Sequence, residues 1–175
     1  RCLEAGRHVY AEKPSATTER DLDAILESVA RTGRRYHEMA VTVVQQPYRE
    51  MRRLVRSGAI GEVVQVWSQK SYPWRESRPQ DEGIDGGLLL QAGVYNLRFT
   101  EHIAGVRVRS IEARESVLGN DVPGGACRRA VSLVMELENR GVAGGIVNYL
   151  SPPPPVLWHW GYESLRIFGT GGFVE

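Results

Sequence analysis

The first 45 residues constrain the fold most, because their pattern predicts a strand, a helix and a second strand. Residues 8–11 are apolar and partly β-branched, as a buried strand of a parallel sheet is. The hydroxyl and acidic residues of 15–21 suit a helix N-terminus, and Gly33 suits its end. Apolar residues at helical spacing predict that this helix buries one stripe: Leu22, Ile25, Leu26, Val29 and Ala30. With a strand over 36–44, the order predicts a right-handed parallel crossover.

The charged sequence Glu12-Lys13-Pro14 follows the first predicted strand directly. Open α/β sheets bind their ligands at the carboxyl ends of the strands, so these residues are candidates for a binding site. Lys13 is one of only two lysines in a chain whose other basic residues are arginines. The plainer alternative is a strand-to-loop turn that carries a surface ion pair.

The middle of the chain predicts a second helix, a strand and a long loop. Pro47 is expected to open the helix and Gly58 to end it, with an apolar stripe of Tyr48, Met51, Leu54 and Val55. Residues 63–68 read as a strand. Residues 69–86 are polar and include Trp74, so we predict a long loop, a kind of segment that is often functional.

A third helix is predicted after Gly86-Gly87, ending at Gly105, with two distinct faces. Leu90, Val94 and Leu97 form the stripe expected to be buried. Polar side chains share a neighbouring stripe at i, i+4, i+7 and i+11: Gln91, Tyr95, Arg98 and His102. This stripe could carry chemistry, and the alternative is an ordinary solvated face.

From Val106 onward the pattern changes to strands. Apolar and other residues alternate over 127–137, as in a strand with one buried face. Residues 138–141 suit a hairpin turn, and residues 142–150 are predicted to form the returning strand. After the proline run 152–155, Trp158, Trp160 and Tyr162 alternate, and 165–168 read as one more strand. Strands of this kind after a parallel unit predict two domains, 1–45 and 46–175. We also expect the chain to be truncated at both ends.

Composition excludes several classes of function. The net charge of +1 gives no electrostatic reason to bind nucleic acid or an anionic membrane. No apolar run approaches the roughly 18 residues that a membrane span needs. Cys2 and Cys127 form neither a metal-ligand nor a disulfide pattern, so no metal is expected and a reducing cytoplasmic location is the default.

Several motifs, in order, resemble those of the Gfo/Idh/MocA oxidoreductases. They are Ala5-Gly6-Arg7-His8-Val9, Glu12-Lys13-Pro14, Gly58-Ala59-Ile60-Gly61-Glu62-Val63, Gly86-Gly87-Leu88-Leu89-Leu90, Gln91-x-Gly93-x-Tyr95 and Ile167-Phe168-Gly169-Thr170. Each motif alone is weak. Their shared order and spacing over nearly the whole chain make the resemblance specific.

The resemblance implies an α/β fold in two parts. The C-terminal part of a Rossmann domain that binds NAD or NADP would precede an α+β domain with an open, mixed, largely antiparallel sheet and helices on one face. It also implies a small-molecule substrate, a sugar or polyol, in the cleft between the domains. The open sheet would form a homo-oligomer interface.

Site residues follow from the resemblance by position. Glu12, Lys13 and Pro14 would bind the cofactor, with a cis Lys13–Pro14 bond, and Lys13 would also reach the substrate hydroxyl. Two departures stand out. No Gly-x-Gly-x-x-Gly turn lies between a strand and a helix here, and Gln91 and Tyr95 stand where the usual family pattern has aspartate and histidine.

The chemistry of these residues favours Tyr95 as the base. Glutamine cannot accept a proton, whereas a phenol can if its pKa falls by about three units, roughly 4 kcal/mol. Nearby positive charge promotes that fall and an aspartate at position 91 would oppose it. We therefore predict Tyr95 as general acid/base, Lys13 as the group that tunes it, and Gln91 as an orienting group.

Other residues have weaker candidate roles. Arg98 could pair with a substrate carboxylate, although a structural salt bridge is the plainer reading, and His102 is expected to be structural. Trp74, Trp158 and Trp160 could stack on a sugar. The predicted activity is hydride transfer between a nicotinamide cofactor and a hydroxy compound, although we expect this chain alone to be inactive. The alternatives are a redox-silent ligand-binding or oligomerisation domain and a glycosidase that uses bound NAD.

Overall fold

The computed structural model describes residues 1–39, 41–154, 156 and 161–175, without the side chains of residues 42 and 43. The chain divides into two compact units, Arg1–Ala40 and Val41–Glu175. The identification of the first with a cofactor domain and the second with a substrate domain stays a prediction, as does the boundary at residue 45.

The first unit has the predicted parallel crossover. Strand β1 (Val9–Ala11) pairs in parallel with β2 (Tyr36–Glu38), and helix α1 (Glu19–Thr32) connects them. The predicted caps are present, because the Thr18 side chain accepts a hydrogen bond from the Asp21 amide and Gly33 takes the left-handed conformation at φ 62°.

Two expectations for this unit are wrong. The second strand ends at Glu38, because β1 offers only three residues as partners, and Val41–Val44 form a 3₁₀ turn. The α1 stripe is not buried, since α1 has no buried residue and Leu22 and Leu26 are 41% and 55% exposed. Two strands of three residues offer too little surface to cover a 14-residue helix, and Tyr10 of β1 is exposed for the same reason.

After the 3₁₀ turn, the second unit continues with helix α2 (Tyr48–Arg56), which is preceded by Pro47 as predicted. Strand β3 (Val63–Pro73) is longer than expected, so the predicted loop over 69–86 is wrong in its first and last parts. Its second half is polar but is held in the sheet by strands on both sides. A short helix, α3 (Glu82–Asp85), follows the remaining loop.

Strand β3 lies near the centre of a mixed sheet, whose six strands in the described residues run in the order β4-β5-β6-β3-β7-β8. The other strands are β4 (Val108–Ser116), β5 (Ala130–Leu137), β6 (Val142–Ser151), β7 (Tyr162–Gly169) and β8 (Gly172–Val174). Among the described strand pairs of this sheet, β3–β6 is parallel and the others are antiparallel. The predicted alternation of β5 and the hairpin turn before β6 are confirmed.

Helix α4 (Gly87–Arg98), extended by a π-helical turn over Phe99–Ile103, packs on one face of this sheet. This confirms the expected layer of helix on an open mixed sheet. The predicted buried stripe is wrong, because Leu90 is 38% exposed. The face toward the sheet instead combines Leu88 with the small residues Ala92 and Gly93 and the polar Asn96, which permit a close approach.

Asn96 fixes α4 on the sheet. Its Nδ2 donates to Ser68 Oγ at 2.7 Å, and both residues are fully buried. Gly145 of β6 lies opposite Ser68, and a Cβ there would come within 2.3 Å of Asn96 Nδ2. A glycine at position 145 is therefore needed for this contact.

Further sequence expectations concern membranes, metals and cysteines. Among the described residues, none of the helices has the length and apolarity to cross a membrane. Over the same residues, no cluster of His, Cys, Asp and Glu could hold a metal ion. Cys2 and Cys127 are both free thiols.

Candidate functional site

Lys13 lies in the first unit, two residues after β1, at the carboxyl end of a parallel strand pair. The Lys13–Pro14 bond is cis, as the resemblance implied. Next to it, the Ser15 backbone amide and hydroxyl both donate to the carboxylate of Glu38, the last residue of β2, at 2.7 and 2.5 Å. The end of each strand thus contributes polar groups to the same sheet edge, which is the edge where open α/β sheets bind their ligands.

Tyr95 lies on α4, in the second unit, and is partly buried against the main hydrophobic cluster. Its ring meets that of Tyr72 from β3 edge to face, with centroids 6.4 Å apart. Lys70 from the same strand places its Nζ 4.3 Å from the Tyr72 centroid and 5.0 Å from the Tyr95 centroid. The candidate base therefore has a lysine at its ring.

Lys70 is the functional candidate that sequence reasoning missed. The sequence predicted that Lys70 lies in a loop over residues 69–86. In the structure Lys70 belongs to β3, and its side chain points inward, where it is 2% exposed and paired with Glu163 of β7. Burial lowers the pKa of Lys70, and the ion pair with Glu163 opposes that change. The sequence signal that could have identified Lys70 is that it is one of only two lysines in the chain.

Burial shapes the acidity of the tyrosines around this lysine. Desolvation raises the pKa of Tyr72 far above its usual range, and the charge of Tyr95 and a hydrogen bond to it add to the rise. Desolvation also raises the pKa of Tyr48, next to the Glu163 carboxylate. Both phenols therefore remain protonated and can act as hydrogen-bond donors.

Gln91 lies on the same stripe of α4 as Tyr95, as predicted. Its Nε2 donates to the backbone carbonyl of Asp85 at 2.8 Å, which ties the last residue of α3 to α4. This is an orienting contact within the protein. Orientation of a substrate by Gln91 stays a prediction.

Trp74 packs on the same hydrophobic cluster as Tyr95. The Arg129 guanidinium carbon lies 3.8 Å from the Trp74 ring centroid, and the Tyr149 ring lies 5.9 Å away. These neighbours already engage the Trp74 ring within the protein. Stacking of Trp74 on a sugar remains an untested prediction.

The remaining candidates are less informative. Arg98 is half-buried at the end of α4, and His102 is exposed in the π-helical turn. Trp158 and Trp160 lie outside the described residues. The second unit thus brings Gln91, Tyr95 and Trp74 to α4 and its neighbouring strands, whereas Lys13 belongs to the first unit.

Comparison with known proteins gives a consistent picture. Residues 48–175 match the family described as the GFO/IDH/MocA C-terminal domain. A curated relative from Streptomyces violaceoruber, a dTDP-3,4-didehydro-2,6-dideoxy-alpha-D-glucose 3-reductase, is 35% identical over 131 residues, which are 72% of this chain and 38% of the reductase.

More distant relatives agree with this match. The Myo-inositol 2-dehydrogenase of Thermotoga maritima is 23% identical over 99% of this chain and 50% of its own length. The chain thus spans about 38% to 50% of these two curated relatives. The structure of aldose-aldose oxidoreductase from Caulobacter crescentus has the same fold, with a TM-score of 0.81 at 22% identity, over 98% of this chain and 50% of that protein.

Proposed function

Because the chain belongs to the Gfo/Idh/MocA oxidoreductase family, we propose that it takes part in hydride transfer between NAD or NADP and a sugar, polyol or related hydroxy compound. The observation that carries this proposal is Tyr95, a phenol on α4 with a buried lysine 5.0 Å from its ring centroid. A phenol next to a cation is a suitable acid/base for an alcohol whose carbon loses hydride.

In this proposal Glu12, Lys13 and Pro14 hold the nicotinamide end of the cofactor. Lys13 follows β1 at the carboxyl edge of the parallel strand pair, where a ribose hydroxyl can be bound. A nicotinamide held there would supply the acceptor or donor of the hydride. Lys13 donates hydrogen bonds to the ribose and to the substrate hydroxyl, and its positive charge favours the ionised alcohol.

Tyr95 takes the hydroxyl proton in the oxidative direction and returns it in the reductive direction. Its ordinary pKa near ~10 must fall by about three units for this role near pH 7. Gln91 leaves Tyr95 without a carboxylate neighbour at position 91, so like-charge repulsion does not oppose the phenolate. Gln91, Arg98 and Trp74 are proposed to line the substrate site.

The relatives support the substrate class. One is named as a reductase of a nucleotide-linked deoxy sugar and another as an inositol dehydrogenase. Both reactions involve a ring carbon that carries a hydroxyl or a ketone. We therefore propose a cyclic sugar or polyol as the substrate of the protein.

We also propose self-association through the sheet face opposite α4. Apolar side chains on that face are at least partly exposed: Trp67, Val134, Val142, Ile146, Phe168 and Phe173. A second copy of the chain could cover such a band, because an exposed apolar face of this kind is typical of an interface.

The first test is cofactor binding by calorimetry, on this chain and on any longer form that its reading frame encodes. The second is turnover with a panel of inositols, free sugars and nucleotide sugars.

We expect Tyr95→Phe to lower kcat by about 10²–10⁴-fold with little change in cofactor affinity, because it removes proton transfer and not binding. Lys13→Ala should lower both kcat and the affinity for the cofactor.

Tyr162→Phe, an exposed tyrosine on β7, is the matched control and should leave turnover unchanged. If a folded longer form binds neither NAD nor NADP, the oxidoreductase proposal is wrong and a ligand-binding or assembly domain becomes the better description. Release of a free sugar from a glycoside, without net cofactor reduction, would identify the NAD-dependent glycosidase instead.

A further inference from the structure

Lys70 occupies the angle between two aromatic rings. Its Nζ lies 4.3 Å from the Tyr72 centroid and 5.0 Å from the Tyr95 centroid, and these rings meet at 69°. With the lysine 2% exposed, little water lies between the cation and the rings. A cation is attracted to the face of a neutral aromatic ring.

The same geometry acts more strongly on a phenolate. Ionisation of tyrosine spreads negative charge from the oxygen into the ring, so a cation 5.0 Å from the ring centroid stabilises the ionised form. Burial strengthens this effect because the intervening medium has a low effective dielectric constant.

A lysine this deeply buried needs a partner to remain charged. Glu163 of β7 supplies it as a direct ion pair, and the Tyr48 phenol also forms a hydrogen bond with that carboxylate. The Glu163 carboxylate is 22% exposed, so water screens it more than it screens the lysine. The Lys70 cation is therefore buried in the protein, whereas solvent partly screens the negative charge of Glu163.

We propose that Lys70 is a positioning residue that lowers the pKa of Tyr95 from the protein side, with Glu163 holding it in place. Lys70 acts through the Tyr95 ring and needs no contact with the substrate. This inference rests on the proposed function.

Other charged and titratable groups near Tyr95 also enter the balance. They come from the elements around the Tyr72–Tyr95 pair: Tyr72 of β3, Arg78 of the loop that follows, Glu82 and Asp85 of α3, Tyr149 of β6, Glu163 of β7, and Arg98 on α4 itself. Tyr72 supports the phenolate as a protonated hydrogen-bond partner. Among these carboxylates Glu163 is the one paired with Lys70, so loss of Lys70 leaves a charge that opposes ionisation of Tyr95.

The experiment titrates Tyr95 directly in this chain. The ¹³Cζ resonance of Tyr95, assigned by its loss in Tyr95→Phe, is followed with pH in the wild type, Lys70→Gln and Lys70→Arg. Both replacements can donate a hydrogen bond to Glu163, and only arginine keeps the charge. Because the chain has two lysines, the ¹⁵Nζ resonance of Lys70 can be assigned with Lys70→Arg and reports whether the amine is protonated.

We expect Lys70→Gln to raise the Tyr95 pKa by about 1–2 units, after partial cancellation by Glu163. Lys70→Arg should leave it within a few tenths of a unit. A purely structural lysine predicts the same Tyr95 titration in both variants, and that result would overturn the inference. A neutral Lys70 amine in the wild type at pH 7 would overturn it as well.

Kinetics separates this inference from the proposed function. In the active protein, the rising limb of kcat against pH for oxidation should move to higher pH by the same amount in Lys70→Gln, with KM little changed. If Tyr95→Phe has full activity, the proposed function is wrong, whereas the effect of Lys70 on the Tyr95 pKa is still measured. If Tyr95→Phe is inactive and Lys70→Gln does not shift the Tyr95 titration, only the inference about Lys70 is wrong.

Discussion

At the scale of single residues, Tyr149 shows what the sheet core does to a polar group. It is 2% exposed on β6, between Trp74 and the Arg78 guanidinium, whose carbon lies 4.0 Å from the Tyr149 centroid. Burial raises the pKa of Tyr149 to about 12, with Arg78 opposing the change. The phenol thus holds its proton in the folded protein at pH values where an unfolded chain has lost it.

This shift predicts an alkaline loss of stability. The folded pKa lies above the unfolded value near ~10, so the contribution is fully present below about pH 10 and is lost as pH rises to about 12. Tyr149 alone accounts for about 2–3 kcal/mol over that window. Tyr149→Phe should flatten the fall in the free energy of unfolding, measured by denaturant titrations from pH 8 to 12.

Tyr162→Phe is the control, because Tyr162 is 44% exposed in the same unit. It should leave the pH dependence of stability as in the wild type. An equal slope in Tyr149→Phe and the wild type would contradict the assignment of this titration to Tyr149.

Residues of this kind were the hardest to predict from the sequence. The segment Gln69-Lys70-Ser71 is polar, and polar composition favours a loop over the continuation of the strand predicted at 63–68. In the fold, Ser68 meets Asn96 and Lys70 meets Glu163, so partners distant in sequence satisfy these groups. No local pattern reveals such partners, whereas caps such as Thr18 and Gly33 are local and were predicted correctly.

At the scale of elements, α4 is positioned by small residues. The sequence predicted the helix itself, because its apolar residues and flanking glycines are local signals. It did not predict the buried face, because Ala92, Gly93 and Asn96 are small or polar and lack the hydrophobic signal of Leu90. The contact of Asn96 with Ser68 then sets the place of Tyr95, its neighbour in the chain.

We predict that Gly145→Ala disturbs this docking. The added Cβ would lie 2.3 Å from Asn96 Nδ2, so the helix or the amide must move, at a cost of about 1–3 kcal/mol in the free energy of unfolding. Gly171→Ala is the control, because its Cβ would meet the nearest heavy atom at 3.4 Å. Denaturant midpoints of the two variants measure the difference.

The double variant tests the cause. If the Asn96 amide is the obstacle, Asn96→Ala combined with Gly145→Ala should be less destabilised than the sum of the single changes, by about 0.5 kcal/mol or more. Additive effects would show that the cost of Gly145→Ala arises elsewhere.

At the scale of the whole chain, the six-stranded sheet of the second unit has unequal faces. One is covered by α4, and the other exposes the apolar band defined above, in which Trp67 is 49% and Val134 is 65% exposed. The fold class and the layer of helix on sheet were predicted from the order of motifs. Strand order was not, since the parallel pairing of β3 with β6 joins segments about 75 residues apart.

The exposed band predicts self-association. Trp67→Glu places a charge at its centre and should shift the protein toward the monomer mass in light scattering, weakening association by about thirtyfold or more. Leu118→Glu is the control, because Leu118 is 84% exposed in the segment between β4 and β5. A wild-type protein that is monomeric at all accessible concentrations would contradict the proposed interface.

The hydrogen bond from Gln91 to the Asp85 carbonyl bears on how position 91 can change in evolution. The family pattern has an aspartate there, but an aspartate is one methylene shorter and, when ionised, can only accept hydrogen bonds. It could not donate to a carbonyl that the glutamine reaches at 2.8 Å. A Gln91→Asp substitution would therefore remove this tie between α3 and α4. In this sense the residue at position 91 is coupled to the end of α3, and a change at one place alters the other.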